Sequence, residues 1–384
     1  MNKCKVCKRE LPLKPIIEFE NMPSVAQYFP DASSLKKDRG ISLNVFQCEG
    51  CGLLQLTSKA VPYYKEVIRA AAISDEMIGF RKRQFEDFIE KYALKGKKII
   101  EIGCGRGEYL QVMNQFPVDA YGLESSAESV KACAGAGLNA IQGFVNQDRY
   151  SLPTAPFDAF YMLSFFEHLP HPNTVLRGIS HLLTADGVGL IEVPNFDMML
   201  QKNLFSEFTA DHLLYFSRDS LTTVLNLNGF EVAEIGTVWH DYILSAVVRK
   251  RKQLELSAFL QNRARITCEI EKFVSRFGDN KVAVWGAGHQ ALAVLALVNL
   301  SGRIKYVVDS AKFKQMKFTP ATHIPIVAPE RLQSDPMDAV IIMAAGYSDE
   351  IAKILRNIAP HICCAILREN GLEEVTFDGG RSNA

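Results

Sequence analysis

The feature that most constrains this chain is an apolar run that ends in three closely spaced glycines. Lys98 to Ile102 has the pattern of a buried strand, and Gly103, Gly105 and Gly107 follow it before helix-forming residues begin. Strand, glycine turn and helix in this order form the ligand-holding turn of an open α/β sheet, because ligands bind at the carboxyl ends of such strands. Glycines also let a ligand approach the backbone where a Cβ would collide. The run therefore predicts an α/β fold with a binding site at this turn.

The position of the acidic residue indicates which ligand the turn favours. Glu101 precedes Gly103 by two positions, unlike the usual dinucleotide fingerprint, and no Gly-Lys-Ser/Thr follows as in a phosphate loop. Glu-x-Gly-x-Gly-x-Gly at this place resembles the cofactor-binding turn of class I S-adenosylmethionine (SAM) methyltransferases. The resemblance implies a Rossmann-like sheet and SAM contacts from Glu101, Gly103, Cys104, Gly105 and Gly107.

Strand and helix patterns then alternate, as expected for the seven-stranded sheet of that superfamily. The predicted strands are Lys98–Ile102, Ala120–Leu123, Asn139–Gln142, Ala159–Ser164, Gly187–Val193, Phe230–Ile235 and Tyr242–Val248. The predicted helices between them are Glu108–Gln115, Ala127–Ala136, Asn173–Leu183 and Asp219–Asn228. A further helical pattern, from Tyr63 to Leu94, is expected to lead onto the sheet.

Residues after these strands complete the expected cofactor site. Glu124 ends the second strand, where a carboxylate accepts ribose hydroxyls, although it can also cap the next helix. Ser125 lies beside it, and Phe144 follows the third strand, where the adenine ring is expected. The Phe-Phe-Glu-His stretch after the fourth strand looks like the Glu-His stretch of the superfamily. This likeness implies that Ser164 and His168 line the methionine end of SAM.

Two cysteine pairs near the amino terminus predict a structural zinc site. Cys4-x-x-Cys7 and Cys48-x-x-Cys51 have the spacing of two zinc knuckles, and four thiolates close a tetrahedral shell. A zinc ribbon that binds nucleic acid is the alternative, but no basic and aromatic patch surrounds the pairs. A redox role is disfavoured because neither pair opens a thioredoxin-like helix.

Motifs in distant parts of the chain resemble one narrower family. Met22-Pro23, the run Gln47–Leu53, Asp211-His212-Leu213 and Tyr215-Phe216-Ser217 look like the sugar C-methyltransferases of deoxysugar biosynthesis. Those enzymes join a zinc-binding amino-terminal part, a SAM-binding sheet and a carboxyl-terminal α/β domain. The domains that this resemblance implies are a zinc-binding domain at 1–60, a helical lead-in with the SAM domain at 61–250, and a linking helix with a substrate-holding domain at 251–384.

The last part of the chain contains a second strand, glycine turn and helix. Gly286-x-Gly288 follows an apolar run, and Asp309 ends the next strand, so the spacing alone also fits a nicotinamide dinucleotide fingerprint. The family resemblance favours a nucleotide-sugar instead, with a diphosphate on backbone N–H groups at the helix start. A domain that serves only as a lid is the alternative. The substrate-binding residues implied by the resemblance are Gly286, Gly288, His289, Asp309, Lys314 and His323.

The loop after the fifth strand carries the expected catalytic residues. The family has a Tyr-His-Glu-His run where this chain has Thr-Ala-Asp211-His212, and a His-Gly-Gly-Ser run where this chain has His240-Asp-Tyr. The resemblance implies that a base removes a proton beside the carbonyl of a nucleotide-linked keto sugar, and histidine suits that task. We expect His212 to be the base, Asp211 an orienting group or a group close to the enolate, and His240 a substrate contact.

Two other functions remain open from the sequence, and the composition limits the partners. The alternatives are O- or N-methylation of a sugar or other small polar metabolite, and a non-catalytic SAM-binding regulatory protein. The 384 residues include 43 Lys+Arg and 43 Asp+Glu, so no bulk attraction to nucleic acid or membrane is expected. No apolar run approaches the roughly 20 residues of a transmembrane helix. With a polar, cysteine-bearing start, the sequence predicts a cytoplasmic protein.

Overall fold

A computed structural model describes residues 2–66, 73–298, 300 and 302–376 of the chain, which divides into two units. One unit is Met1–Gln253 and the other is Leu254–Ala384. Within the described ranges, no helix is both long and apolar enough to cross a bilayer. The three-domain division expected from the sequence stays a prediction.

The first unit contains eleven strands among its described residues. In chain order they are β1 (Ile17–Met22), β2 (Ile41–Gln47), β3 (Leu54–Leu56), β4 (Lys98–Ile102), β5 (Asp119–Glu124), β6 (Asn139–Gln142), β7 (Phe157–Leu163), β8 (Leu183–Pro194), β9 (Leu214–Tyr215), β10 (Phe230–Val238) and β11 (Ile243–Lys250). Seven form one sheet in the order β10-β11-β8-β7-β4-β5-β6. The five strands from β4 to β8 pair in parallel, whereas β11 runs antiparallel to both β8 and β10. This is the predicted class I SAM methyltransferase sheet.

Helices connect these strands and cover the sheet. They are α1 (Asp75–Lys91), α2 (Glu108–Met113), α3 (Ala127–Gly135), α4 (Pro172–Leu182), α5 (Phe196–Gln201) and α6 (Arg218–Leu227). Serines cap several of them, because a side-chain oxygen satisfies a backbone N–H at the helix start. Ser126 caps α3, and Ser217 with Ser220 forms a capping box on α6. Of the expected lead-in helix, α1 is present, while residues 67–72 lie outside the described residues.

A second, smaller sheet in this unit joins the amino-terminal segment to the segment after α5. Its order is β1-β2-β3-β9, so the two-residue strand β9 pairs with β3. The partners are Leu54 with Tyr215 and Gln55 with Leu214. The Leu56 N–H also donates to the Leu213 carbonyl at 2.9 Å. The sequence did not predict β9, because two residues carry no recognisable periodicity.

The second unit has its own six-stranded sheet. Its elements are α7 (Ser257–Val274), β12 (Val282–Trp285), α8 (His289–Leu297), β13 (Ile304–Val308), β14 (Ile326–Val327), α9 (Arg331–Ser334), β15 (Ala339–Ile342), α10 (Ser348–Ile358), β16 (Cys363–Arg368) and β17 (Gly371–Val375). The order is β14-β13-β12-β15-β16-β17. The strands from β14 to β16 in this order pair in parallel, and β17 returns antiparallel to β16 as a hairpin.

One ion pair is buried inside the first unit, between α1 and β8. The Arg81 guanidinium lies 2.5 Å from the Glu192 carboxylate, and neither side chain is more than 1% exposed. Gln84 donates to the same carboxylate, and the guanidinium lies 4.9 Å from the centre of the Tyr109 ring. A buried charge that loses its partner keeps its desolvation cost without compensation. The pair therefore fixes the position of α1 on the sheet.

We expect Arg81→Ala to destabilise the first unit by about 3–5 kcal/mol, because Glu192 would remain buried and unpaired. Urea unfolding followed by circular dichroism measures the change. Arg83→Ala is the matched control, since Arg83 lies on the same helix and is exposed. Equal unfolding midpoints for the two variants would contradict a structural role for the buried pair.

Candidate active site

The glycine turn after β4 has the backbone conformation that its sequence predicted. Gly103 and Gly107 have φ angles of 77° and 89°, and Gly105 has 55°. A Cβ on Gly103 would lie 2.8 Å from a ring carbon of Phe165, and one on Gly107 would lie 2.6 Å from Leu138. The backbone and the close packing thus both require glycine at these two positions.

Glu124 reaches this turn from the end of β5 and is buried, at 1% exposure. One carboxylate oxygen accepts from the Gly105 N–H at 3.0 Å. The other accepts from the Ser126 N–H at 2.9 Å and the Ser125 hydroxyl at 3.2 Å. A carboxylate has about four acceptor positions, so the oxygen on Gly105 still has one for a ligand hydroxyl. Glu124 therefore bonds the start of α3 and still keeps an acceptor position, so the two roles that the sequence treated as alternatives are compatible.

An apolar crevice extends from the turn across the ends of β5 and β6. Its lining residues include Gly103, Ser125, Phe144 and Phe165. The Phe144 ring meets the Phe165 ring edge-on, with ring centres 6.5 Å apart. The Lys65 ammonium lies 5.4 Å from the centre of the Phe144 ring. The residues that were predicted to surround the adenine end of SAM therefore line one crevice.

A cavity of about 180 Å³ lies at the same edge of the sheet. Its lining residues include Tyr63, Tyr109, Ser164, His168 and Asp211. Ser164 has a φ of 50°, a conformation that costs energy for a residue with a side chain and is concentrated at functional sites. Predicted cofactor and catalytic residues therefore line one cavity.

His168 and His212 lie side by side next to this cavity. Their ring centres are 4.8 Å apart in an edge-on arrangement. Burial, followed by the neighbouring His168, lowers the pKa of His212 to about 3, so its imidazole is neutral at physiological pH. The His168 Nδ1 lies 2.9 Å from the Asp211 carbonyl oxygen. This contact joins the segment after β7 to the segment before β9.

The Asp211 carboxylate is held by the amino-terminal segment. One oxygen accepts from the Tyr63 hydroxyl at 2.8 Å, and the other accepts from the Ala26 N–H at 3.2 Å. The Tyr63 oxygen in turn accepts from the Ala26 and Gln27 N–H groups at 2.9 and 3.1 Å. Asp211 is 6% exposed, so these bonds compensate for the burial of its charge.

Two predicted cofactor residues point into the sheet and not into the cavity. The Cys104 side chain is buried and sits where a Cβ on Gly122 would collide with its sulfur at 2.5 Å. The Glu101 carboxylate is buried and accepts from the Tyr161 hydroxyl at 3.0 Å. Both side chains therefore pack inside the protein beneath the turn. The backbone of these two residues is the part that would contact a ligand.

His240 lies away from the histidine pair, on the tip between β10 and β11. It is 76% exposed, and its Nε2 is 3.8 Å from the Glu76 carboxylate. Trp239, His240 and Asp241 all have φ angles between 50° and 64°. The Asn195 amide, directly after β8, donates to the Asp241 carbonyl at 2.8 Å, which ties the tip to the carboxyl edge of the sheet.

The four predicted cysteines meet in one cluster. The sulfurs of Cys4 and Cys51 are 3.6 Å apart, and those of Cys7 and Cys48 are 3.4 Å apart. A zinc ion about 2.3 Å from each of four tetrahedral sulfurs holds them about 3.8 Å apart, close to what is observed. The neighbouring Cys51 lowers the pKa of Cys4 while Cys4 raises the pKa of Cys51, so one thiol of this pair readily becomes the metal-binding thiolate.

In the second unit, a similar turn follows β12. Gly286 has a φ of 119°, and a Cβ there would lie 2.5 Å from the Met343 carbonyl oxygen. Asp309 accepts from the Ala287 and Ala311 N–H groups and from the Lys314 ammonium, each at 2.9 Å. Gly288 and His289 are exposed at the start of α8, and His323 is exposed on a turn with a φ of 53°.

Comparison with known proteins agrees with this architecture. Residues 77–235 match a methyltransferase domain family, and residues 250–362 match a C-methyltransferase C-terminal domain. Over 387 residues the chain is 24% identical to the C-methyltransferase NovU of Streptomyces niveus, covering 91% of each protein. The chain is a SAM-dependent methyltransferase. A regulatory protein without catalysis, one of the alternatives from the sequence, is not supported.

Other similar proteins match only the central part of this methyltransferase. The ubiquinone biosynthesis O-methyltransferase of Chromobacterium violaceum is 30% identical over 111 residues, which are 26% of this chain and 46% of that protein. The plantazolicin methyltransferase BpumL, solved with SAH, is 17% identical with a TM-score of 0.38, covering 46% of this chain and 86% of that one.

The sequence missed three residues that the geometry brings into this region. Tyr63 bonds Asp211, Gln55 donates to the Cys4 sulfur at 3.2 Å, and Glu167 is buried beside His168. Tyr63 and Gln55 are far in sequence from their partners, so no local pattern reveals them. Glu167 precedes His168 directly, and its acidic charge in an apolar stretch was a usable signal.

Proposed function

We propose that this methyltransferase adds a methyl group to a carbon beside the carbonyl of a nucleotide-linked keto sugar. Similarity to a C-methyltransferase over 91% of the chain supports carbon as the acceptor. One observation in the fold carries the proposal. His168 and His212 lie together beside a cavity at the edge of the sheet that holds the glycine turn.

We assign SAM to the crevice and the adjoining cavity. Gly103 to Gly107 would hold it by backbone, Glu124 would accept from its ribose, and Phe144 and Ser125 would line the adenine end. The turn has positive φ angles at its three glycines, and Glu124 beside it keeps an acceptor position, so these residues fit the cofactor. When bound, SAM supplies an electrophilic methyl group on a sulfonium.

In this proposal His212 removes the proton from the substrate carbon. Its lowered pKa keeps the imidazole in the neutral form that accepts a proton, but it also makes His212 a weaker base than a free histidine, so the protonated form needs stabilisation by its surroundings. The buried Glu167 carboxyl lies in the same cluster, where negative charge would stabilise a histidine that has gained a proton. Asp211 orients the loop through its hydrogen bond with Tyr63.

His240 and the second unit are the proposed substrate-binding elements. His240 lies on a tip that is bonded to the carboxyl edge of the sheet through Asn195. In the second unit, a nucleotide diphosphate would bind the N–H groups after Gly288, with Lys314 nearby as a cation. His289, Asp309 and His323 are expected around it.

We further propose a structural zinc ion on Cys4, Cys7, Cys48 and Cys51. The sulfur separations and the lowered pKa of Cys4 support this ligand set. Four protein ligands leave no open position, so this ion would stabilise the fold and take no part in the chemistry. A cytoplasmic location and the three domains 1–60, 61–250 and 251–384 remain part of the proposal.

Methylation of oxygen is the second candidate function. The 30% identity with a ubiquinone biosynthesis O-methyltransferase over the central residues favours it. The same crevice and cavity would serve, with a hydroxyl group in place of the acidic carbon. Nuclear magnetic resonance of the product from labelled SAM distinguishes a methyl group on carbon from one on oxygen or nitrogen.

We expect Gly105→Val and Glu124→Ala to weaken SAM binding. Valine is strained at the φ of 55° and fills the approach to the backbone. Loss of the Glu124 acceptor should cost about 1–3 kcal/mol, roughly 5- to 150-fold in affinity. Calorimetry with SAM measures both, and the exposed Glu128→Ala is the control. If both variants bind like the wild type, the cofactor site lies elsewhere.

We expect one zinc ion per chain in freshly purified, reduced protein. Cys48→Ser should lose the ion and lower the thermal stability of the first unit, because a three-thiolate shell holds the metal less tightly. Elemental analysis and thermal unfolding provide the measurements. Cys268→Ser, at an exposed cysteine on α7, should keep both properties. Zinc-free wild-type protein would refute this site.

We expect His212→Asn to lower methyl transfer by roughly two to four powers of ten, the usual contribution of a general base, with SAM affinity retained. The variant should also fail to exchange the acidic C–H of the keto sugar into deuterated water without SAM. His181→Asn, at an exposed histidine on α4, is the control. Normal exchange with lost transfer would assign His212 to methyl alignment, and normal turnover would assign it to structure.

A further inference from the structure

One loop of the second unit exposes three large apolar side chains. This edge loop, residues 310–325, connects β13 to β14, and β14 is the outermost strand on its side of the sheet. Phe313 is 72% exposed, Met316 is 96% exposed and Phe318 is 63% exposed. Single exposed apolar residues are normal on a protein surface, whereas a cluster of them marks an interaction site. Three within six positions of one loop form such a cluster.

The backbone of the edge loop fixes these side chains at the surface. The Met316 N–H donates to the Ile326 carbonyl at 3.0 Å, and the Ile326 N–H donates to the Lys317 carbonyl at 2.7 Å. The Gln315 amide donates to the Asp309 carbonyl at 3.0 Å. Met316 has a φ of 60°, a conformation that costs energy for a residue with a side chain and persists where the surrounding structure imposes it. The apolar side chains are therefore displayed by an ordered loop.

Two of the three apolar residues also line a groove. Met316 and Phe318 are part of the lining of a groove of about 620 Å³, together with Pro325, Val327 and Arg331. The backbones of Phe318 and Pro325 pair across the loop in an antiparallel bridge. Met316 and Phe318 thus belong to one apolar surface that extends from the edge loop to β14.

Basic side chains alternate with the apolar ones in the edge loop. Lys312 and Lys317 are exposed, whereas Lys314 is paired with Asp309 at 2.9 Å. Residues 310–329 contain no aspartate and no glutamate. Apolar side chains can enter the boundary between the headgroups and acyl chains of a bilayer, while lysines beside them remain at anionic headgroups. The charge and the apolar surface of the loop are both complementary to an anionic lipid surface.

Two other occupants fit the edge loop less well. A symmetric contact with a second copy of the chain would bring the same lysines of two loops together, and like charges repel. Single-stranded nucleic acid binds basic grooves whose aromatic rings stack on the bases. Met316, the most exposed of the three apolar residues, has no ring for such stacking.

From these observations we propose that the edge loop binds the surface of an anionic lipid bilayer. Phe313, Met316 and Phe318 enter the boundary between headgroups and acyl chains, and Lys312 and Lys317 contact headgroup phosphates. The association is peripheral and reversible, because one loop buries far less apolar surface than a spanning helix. The balanced charge of the whole chain does not oppose it, since attraction to the surface acts within a Debye length. This binding goes beyond the proposed methyl transfer and does not depend on it.

Flotation of the full-length protein with lipid vesicles tests the proposal. Vesicles of phosphatidylcholine and phosphatidylglycerol in about equal amounts should carry the protein upward, and vesicles of phosphatidylcholine alone should carry much less. Sodium chloride at about 1 M, where the Debye length is about 3 Å, should weaken the binding.

Variants of the edge loop separate the two contributions. Phe313→Ser combined with Phe318→Ser should lower the vesicle partition coefficient by about 10-fold or more, because both rings lose their transfer into the apolar boundary. Lys312→Gln combined with Lys317→Gln should lower it by about 5-fold for each lysine. All four side chains are exposed, so thermal unfolding of these variants should match that of the wild type.

Two exposed residues elsewhere in the second unit provide matched controls. Leu297→Ser, at the end of α8, and Lys353→Gln, on α10, should bind vesicles like the wild type. Equal vesicle binding by the wild type and the double phenylalanine variant would overturn the proposal, as would a wild-type protein that does not bind the anionic vesicles.

Two further measurements report the other occupants. If the wild type binds a polythymidine oligonucleotide in place of the vesicles, and the double phenylalanine variant does not, the edge loop is a nucleic-acid site and the proposal is wrong. Dimers in sedimentation velocity that the same variant abolishes, without vesicle binding, would assign the loop to a second copy. None of these measurements involves turnover, so failure of lipid binding is distinguishable from failure of the proposed C-methylation.

Discussion

The pairing of β3 with β9 is the contact on which the active-site loop depends. β3 follows the Cys48-x-x-Cys51 knuckle, and β9 starts two residues after His212. Three backbone contacts join them, from Leu54, Gln55 and Leu56 to the segment Leu213–Tyr215. A strand of two residues has little stability alone, so its position is imposed by the sheet it joins. The cysteine cluster thus holds the strand that sets the position of His212.

A second connection joins the same parts through side chains. The Asp211 carboxylate is satisfied by the Tyr63 hydroxyl and the Ala26 N–H, both supplied by the amino-terminal segment. Because a buried carboxylate without these partners would be costly, the segment and the loop stabilise each other's positions. Tyr63 also lines the cavity, so the wall of the cavity and the loop are one bonded structure. The amino-terminal part therefore builds the site as well as stabilising the fold.

The sequence predicted what local patterns encode and missed what distant contacts create. β4 was predicted to the residue, because an apolar run before a glycine turn marks a buried parallel strand. β9 and the Tyr63–Asp211 bond depend on tertiary pairing and have no local signature. Cys104 was assigned to the ligand from its place in the motif, yet its side chain packs behind the turn. A sequence motif predicts the path of the backbone, whereas packing determines the direction in which each side chain points.

In both glycine turns a carboxylate at the end of the next strand accepts from a backbone N–H of the turn, but the charges around the two carboxylates differ. In the first unit the hydrogen bonds to the Glu124 carboxylate come from uncharged N–H and hydroxyl groups, so it keeps an acceptor position for a neutral or cationic ligand. In the second unit Asp309 accepts from two N–H groups and pairs with Lys314 at 2.9 Å, so its charge is neutralised. A neutralised acid no longer repels phosphate oxygens at the adjacent helix start. The two turns therefore differ in the charge that they present to a ligand.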